Sequence, residues 1–148
     1  MNVALVKIDV ASAYLGRSVN DVLDLVDGGS LAEAGLLWVF NLAHNPAGLR
    51  RDLRFWRTEL LARAGGHADN CGRLQINQVI AQILPARREH FQAGEVDQLF
   101  QIRPSTRKAV DAELKGSLAG GRNVYQRTRL ETFLNRRWIG RVLERRLQ

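Results

Sequence analysis

The chain has 148 residues, with 22 Lys/Arg against 15 Asp/Glu and a formal net charge of +7. Its 45% apolar and 25% charged content is that of a folded domain and excludes extended disorder. No apolar run approaches the roughly 20 residues a membrane-spanning helix needs, and the single cysteine, Cys71, excludes an internal disulfide framework. The charge is unevenly spread. Residues 1–74 hold 8 basic and 8 acidic side chains, and residues 75–148 hold 14 and 7, so the whole excess lies in the second half. Such a half points to a polyanion, nucleic acid first, with membrane surface and acidic protein behind it. Met1–Ile8 lacks the basic region and cleavage site of a secretory leader, so the expected compartment is the cytoplasm.

From Ile8 to Leu15 the residues read as a short helix with Val10, Ala11, Tyr14 and Leu15 on its apolar side, broken by Gly16-Arg17. Ser18 is a good N-cap, and Asp21 puts a carboxylate where the helix dipole favours it. Val19, Val22, Leu23, Leu25 and Val26 then give helical-period burial up to Gly28-Gly29. Leu36–Leu42 is a dense β-type run, His44–Gly48 is turn chemistry, and Leu53–Trp56 reads as the returning strand of a hairpin. Thr58–Ala64 is helical again. The polar stretch His67–Arg73 marks a boundary, and Leu74–Leu84 is a bridging helix ended by Pro85.

The plan then repeats. Val96, Leu99 and Phe100 mark a short helix, Gln101–Pro104 a turn, and Pro104 or Ser105 the start of a second helix running to Gly116. Ser117–Gln126, with Gly120-Gly121 at its tip, is a hairpin. Arg127–Leu147 is a long amphipathic helix with Leu130, Phe133, Leu134, Trp138, Val142 and Leu143 as its apolar stripe. The expected fold class is mainly α with small β-hairpins (α+β), as a first module over 1–66, a linker and bridging helix over 67–92, and a second module over 93–148.

The stretch Val10–Leu31, with Leu15-Gly16-Arg17-Ser18 between its helices and Gly29-Ser30-Leu31 at its close, resembles the helix-turn-helix of the excisionase and MerR-like winged-helix families. Residues 95–116 resemble it less closely, with a turn two residues longer. Leu130-Glu131-Thr132-Phe133-Leu134-Asn135-Arg136-Arg137 is similar to the helix that closes such domains. The resemblance implies two winged-helix-like modules, each offering its second helix to a major groove and its wing to backbone or minor groove.

In the first module that second helix carries Asp21, Asp24 and Asp27, which would repel phosphates. In the second module its counterpart offers Arg103, Ser105, Thr106, Arg107, Lys108 and Lys115, and the wing adds Arg122, Asn123 and Arg127. These are the expected DNA-binding residues. Arg50, Arg51, Arg54 and Arg57 admit two readings: phosphate contacts from a wing, or the solvated face of a strand whose aromatics enter the core. Arg136, Arg137 and Arg141 admit phosphate contact, pairing with a partner helix, a seat on an anionic membrane surface, or ordinary amphipathic packing.

No catalytic arrangement stands out. His44 reads as an exposed turn residue and His90 as helix surface. His67 and Cys71 lack the two further ligands a structural zinc site needs. The glycine pairs are caps and turn tips. The sequence therefore points to a non-enzymatic, cytoplasmic DNA-binding protein, a transcriptional regulator or excisionase-like architectural factor. It needs no metal, cofactor, small-molecule substrate or membrane, and its partner is double-stranded DNA. A homodimer or protein partner would meet the first module or the C-terminal helix. The alternative is an adaptor or structural subunit whose winged helices bind protein.

Overall fold

The computed structural model describes residues 3–31, 34–43, 52–66, 71–104, 106, 107, 110, 114, 117–119 and 122–139, with 117–119, 122 and 123 as backbone. The first half runs β1 (Leu5–Lys7), α1 (Ile8–Leu15), α2 (Val19–Asp27), β2 (Val39–Asn41), β3 (Leu53–Trp56) and α3 (Arg57–Ala64). After α4 (Ile76–Ile83) come β4 (His90–Gln92), α5 (Ala93–Phe100), β5 (Ser117–Ala119), β6 (Arg122–Gln126) and α6 (Arg127–Arg137). Between α5 and β5, the described residues Pro104, Thr106, Arg107, Val110 and Leu114 are helical. The class is α+β, with two small antiparallel sheets.

Local chemistry sets the helix ends. Gly16 closes α1 in the left-handed region at φ 65°, which costs glycine little and other residues more. The Ser18 hydroxyl accepts the Asp21 amide at 3.1 Å, capping α2 where the sequence places the cap. Gln75 with Gln78 caps α4, and Gln92 with Glu95 caps α5, each by a reciprocal capping box.

The two halves repeat one plan. The strand orders are β1-β3-β2 and β4-β6-β5. Leu5, Val6 and Lys7 face Trp56, Phe55 and Arg54; His90, Phe91 and Gln92 face Gln126, Tyr125 and Val124 in the same register. The Arg57 amide donates to the Ala4 carbonyl at 2.9 Å, and the Arg127 amide donates to the Glu89 carbonyl at 2.8 Å, at matching places. α1 and α5 each end on a left-handed residue, Gly16 and Gln101.

Each unit thus begins with a strand that the sequence reading lacks. β4 belongs to the second sheet, so the second unit starts at His90 and not at Ala93.

The units share a core. One cluster joins Leu5, Trp38, Phe40 and Trp56 to Val79, Ile83, Phe91, Phe100, Phe133 and Leu134. A second cluster, with Val6, Val22, Leu36, Phe55 and Leu60, is built from the first unit, with Ile139 packed against it. The free edge of β1 is covered by the second unit: the Ala4 amide donates to the Leu99 carbonyl at 2.9 Å, and the Lys7 amide to Gln101 Oε1 at 2.8 Å.

At the other edge of this sheet, α6 stops at Arg137, ten residues short of the expected Leu147. Trp138 instead bridges to Phe40, and the Ile139 amide donates to the Val39 carbonyl at 3.0 Å. At these two residues, extension to a sheet edge, with indole stacking, takes the place of helix. The expected partner helix over 140–147 lies outside the described residues.

Candidate nucleic-acid interface

The expected reading helix begins where the two units meet. Strand β3 sends Arg54 across this junction, fully buried at 0% exposure. All five of its N–H groups are used. Nε donates to the Phe100 carbonyl at 2.7 Å, and Nη2 to the Gln101 carbonyl at 2.8 Å and Asp52 Oδ2 at 3.3 Å. Nη1 donates to Asp52 Oδ1 and to the Leu53 carbonyl at 2.9 Å. A guanidinium therefore caps the C-terminus of α5, where backbone carbonyls lack partners and the helix dipole is negative.

Asp52 serves the opposite end of the turn. It accepts from the buried Thr106 hydroxyl in the first turn of the next helix, and the Arg103 guanidinium lies 3.9 Å away. A carboxylate at a helix N-terminus is favourably placed. Burial would raise the Asp52 carboxyl, but hydrogen bonds from Arg54 and Thr106 and the charges of Arg54 and Arg103 outweigh it and hold it below the ordinary value. The ion pair of the first unit thus fastens the helix–turn–helix of the second.

This arrangement sorts the expected contacts. Arg54, Thr106 and Arg137 are corrected: at 0%, 6% and 7% exposure they lie inside the fold and cannot reach a phosphate. Arg54 and Thr106 join the network above, and the Arg137 guanidinium lies 5.2 Å from the Phe133 ring centre. Arg127 is also committed. Its Nη1 donates to the Pro85 carbonyl at 2.6 Å and the Arg88 carbonyl at 3.2 Å, pinning the segment before β4. Arg57 is half-buried against the Tyr14 hydroxyl at 3.4 Å. Arg107 is half-buried and ion-paired with Asp97. Arg103 remains on the surface, its side chain 49% exposed, and Arg136 is exposed on α6. Ser105, Lys108, Lys115, Arg50, Arg51 and Arg141, and the side chains of Arg122 and Asn123, lie outside the described residues, as do His44 and His67.

The acidic helix of the first unit is a surface helix. Asp21, Asp24 and Asp27 are exposed, Val22 alone of α2 is buried, and Val19 is 36% exposed. The turn before it, Gly16-Arg17-Ser18, is exposed throughout, whereas its counterpart in the second unit is held by Asp52 and Arg54.

Comparison of the chain with protein-family models, with characterised proteins and with solved structures gives no match. Function therefore rests on the site itself.

Among the described residues no three His, Cys, Asp or Glu side chains gather as a metal site would require. His90 is exposed on β4, not on a helix. An open groove of about 360 Å³ between α4 and α6 is lined by Asn77, Ile80, Glu131, Thr132, Asn135 and Arg136, a mixed surface in which Glu131 opposes an anion. Three residues with clear roles escaped sequence reading. Asp52 and Gln101 act across the junction, far apart in sequence. Glu59 is 2% exposed and accepts the Leu37 and Trp38 amides at 3.1 Å each. Burial raises its carboxyl to about 7 against the pull of those two amides and of Arg63. No local pattern marks it, because an acid in the first turn of a helix is ordinary.

Proposed function

We propose that the chain is a non-enzymatic double-stranded DNA-binding protein, a regulator or architectural factor built from two winged-helix-like units, with the second unit reading DNA. The observation that carries this is the strand–helix–helix–strand–strand–helix order, present twice with the same sheet order, in a chain whose whole positive excess lies in the second half of its sequence. In this reading Arg103, exposed at the mouth of the turn, meets the backbone or a guanine edge. Ser105, Lys108 and Lys115 follow it in the sequence, and Arg122 and Asn123 belong to β6. Arg136 is a further phosphate contact from α6.

The test is duplex binding across salt. Each phosphate neutralised contributes a slope of about −0.9 to log K against log salt, so affinity falls steeply between about 50 and 200 mM. Arg103→Ala lowers that slope by about 1. A flat response overturns the proposal.

A second reading has one specific observation behind it. The α2 surface presents Asp21 and Asp24 beside the exposed Val19, next to a turn whose residues Gly16, Arg17 and Ser18 are exposed among the described residues. That surface suits a protein partner with a basic patch, which makes the first unit an adaptor. Recovery of a defined partner that Asp21→Asn with Asp24→Asn abolishes, together with no duplex binding by the whole chain, favours it.

A further inference from the structure

The junction carries more than packing. The first unit spends a fully buried arginine and its companion carboxylate on the two facing helix ends of the second unit, α5 at Phe100–Gln101 and the next helix at Arg103–Thr106. The counterpart of Arg54 in β6, by the matched register, is Val124. The second unit therefore lacks the equivalent arginine to offer in return. Gln101 is a non-glycine residue in the left-handed region at φ 49°, a strained choice, and its two oxygens are engaged by the first unit. Its carbonyl accepts from Arg54, and its Oε1 from the Lys7 amide at 2.8 Å.

We propose that Asp52 and Arg54 are positioning residues for DNA recognition: through Phe100, Gln101, Arg103 and Thr106 they set the angle between the second unit's helices and the place of Arg103. The first unit thereby acts as a brace for the reader and not as a second reader. This inference rests on the DNA reading above. It predicts loss of selectivity from residues that no duplex touches, because a reading helix tilted out of register keeps its charge and loses its base contacts.

The experiment uses the whole chain and two mild variants, Thr106→Val and Arg54→Lys. Thr106→Val removes one hydroxyl at nearly constant shape. Arg54→Lys keeps the charge but lacks the planar fork. Circular dichroism establishes that each variant is folded. A preferred duplex is selected from a random pool with the wild-type chain. Affinity is then measured for that duplex and for a scrambled one, and amide exchange is followed at Ile102 and Thr106, whose N–H groups bond to the Asp97 and Arg103 carbonyls.

The expected result is a selectivity ratio reduced by about tenfold with the salt slope on scrambled duplex unchanged, and faster exchange at both amides. Folded variants with unchanged selectivity overturn the positioning role while leaving DNA binding intact. Unchanged exchange overturns the fastening itself. A wild-type chain that binds no duplex overturns the DNA reading, and accelerated exchange then leaves the pair a purely structural fastening. If Arg54→Lys is unfolded, Thr106→Val alone decides.

Discussion

The indole of Trp138 lies against that of Trp38, with ring centres 4.9 Å apart and planes 23° from parallel. Each ring also donates its Nε1–H to a backbone carbonyl, Trp138 to Leu37 at 2.8 Å and Trp38 to Cys71 at 2.9 Å. One stack thus ties the end of α6, the approach to β2 and the segment before α4. Trp138→Ala removes the stack and one hydrogen bond, and should destabilise the chain by about 3 kcal/mol in urea unfolding. A loss below about 0.5 kcal/mol would mean the stack contributes nothing.

Arg54→Met should cost about 3–5 kcal/mol, because it strands Asp52 in the junction and leaves the end of α5 without its cap. Asp52→Asn combined with Arg54→Met should cost less than Arg54→Met alone, since no charge is then left behind. Chemical denaturation of both variants decides this, and a double variant at least as unstable as Arg54→Met contradicts it.

The same carboxylate makes stability pH-dependent at the acid end. Asp52 is held below its ordinary value of 3.8 in the folded chain. Its contribution is complete above that value and is lost as pH falls through the lower folded one. Unfolding free energies between pH 5 and 2 should therefore fall more steeply for the wild type than for Asp52→Asn.

Glu59 acts in the opposite sense. Its folded carboxyl is raised from 4.5 to about 7, so its contribution is fully present below 4.5 and is lost as pH rises through about 7. At about 1.36 kcal/mol per unit this is on the order of 3 kcal/mol. Glu59→Gln should flatten that slope between pH 5 and 8. It should also lose about 1–3 kcal/mol at pH 5, because its amide nitrogen cannot accept the backbone N–H that either oxygen of the carboxyl group can. Denaturant midpoints across this range, with slopes equal for the two chains, would refute the role given to Glu59.

Gly16 and Gln101 occupy the same left-handed position in the two units. No neighbour stands within 4 Å of a Cβ added at Gly16, so Gly16→Ala tests backbone conformation alone and should cost about 1 kcal/mol. Gln101→Gly relieves the same strain but gives up the bond to the Lys7 amide. It should gain nothing in thermal melts.

The sequence was most informative where a cap or a breaker stands at a boundary. Gly16, Ser18 and Gly28 frame α1 and α2, whose observed limits agree with the reading, and the two hairpins fall where alternating runs meet turn chemistry. Strands β1 and β4 were illegible because each has three residues and passes into a helix with no punctuation between, Lys7 to Ile8 and Gln92 to Ala93. Arg54 misled for a physical reason. Alternation in Leu53-Arg54-Phe55-Trp56 reads as one wet face, yet all four residues are buried because a second unit covers that face. Thr106 and Arg127 misled likewise, since their partners, Asp52 and the Pro85 and Arg88 carbonyls, lie 54, 42 and 39 residues away. Trp138 fits a helical stripe, and only the remote edge of β2 draws it out.

The bond from Trp138 to Leu37 spans 101 residues, and Ile139 closes the same sheet edge. During translation at roughly 5–20 residues per second, Val39–Asn41 emerges some 5–20 s before the segment that will shield it. A nascent or prematurely terminated chain ending ahead of Trp138 displays that strand with its ladder groups open, a template for aggregation. Shielding of this strand during synthesis therefore waits for Trp138 and Ile139.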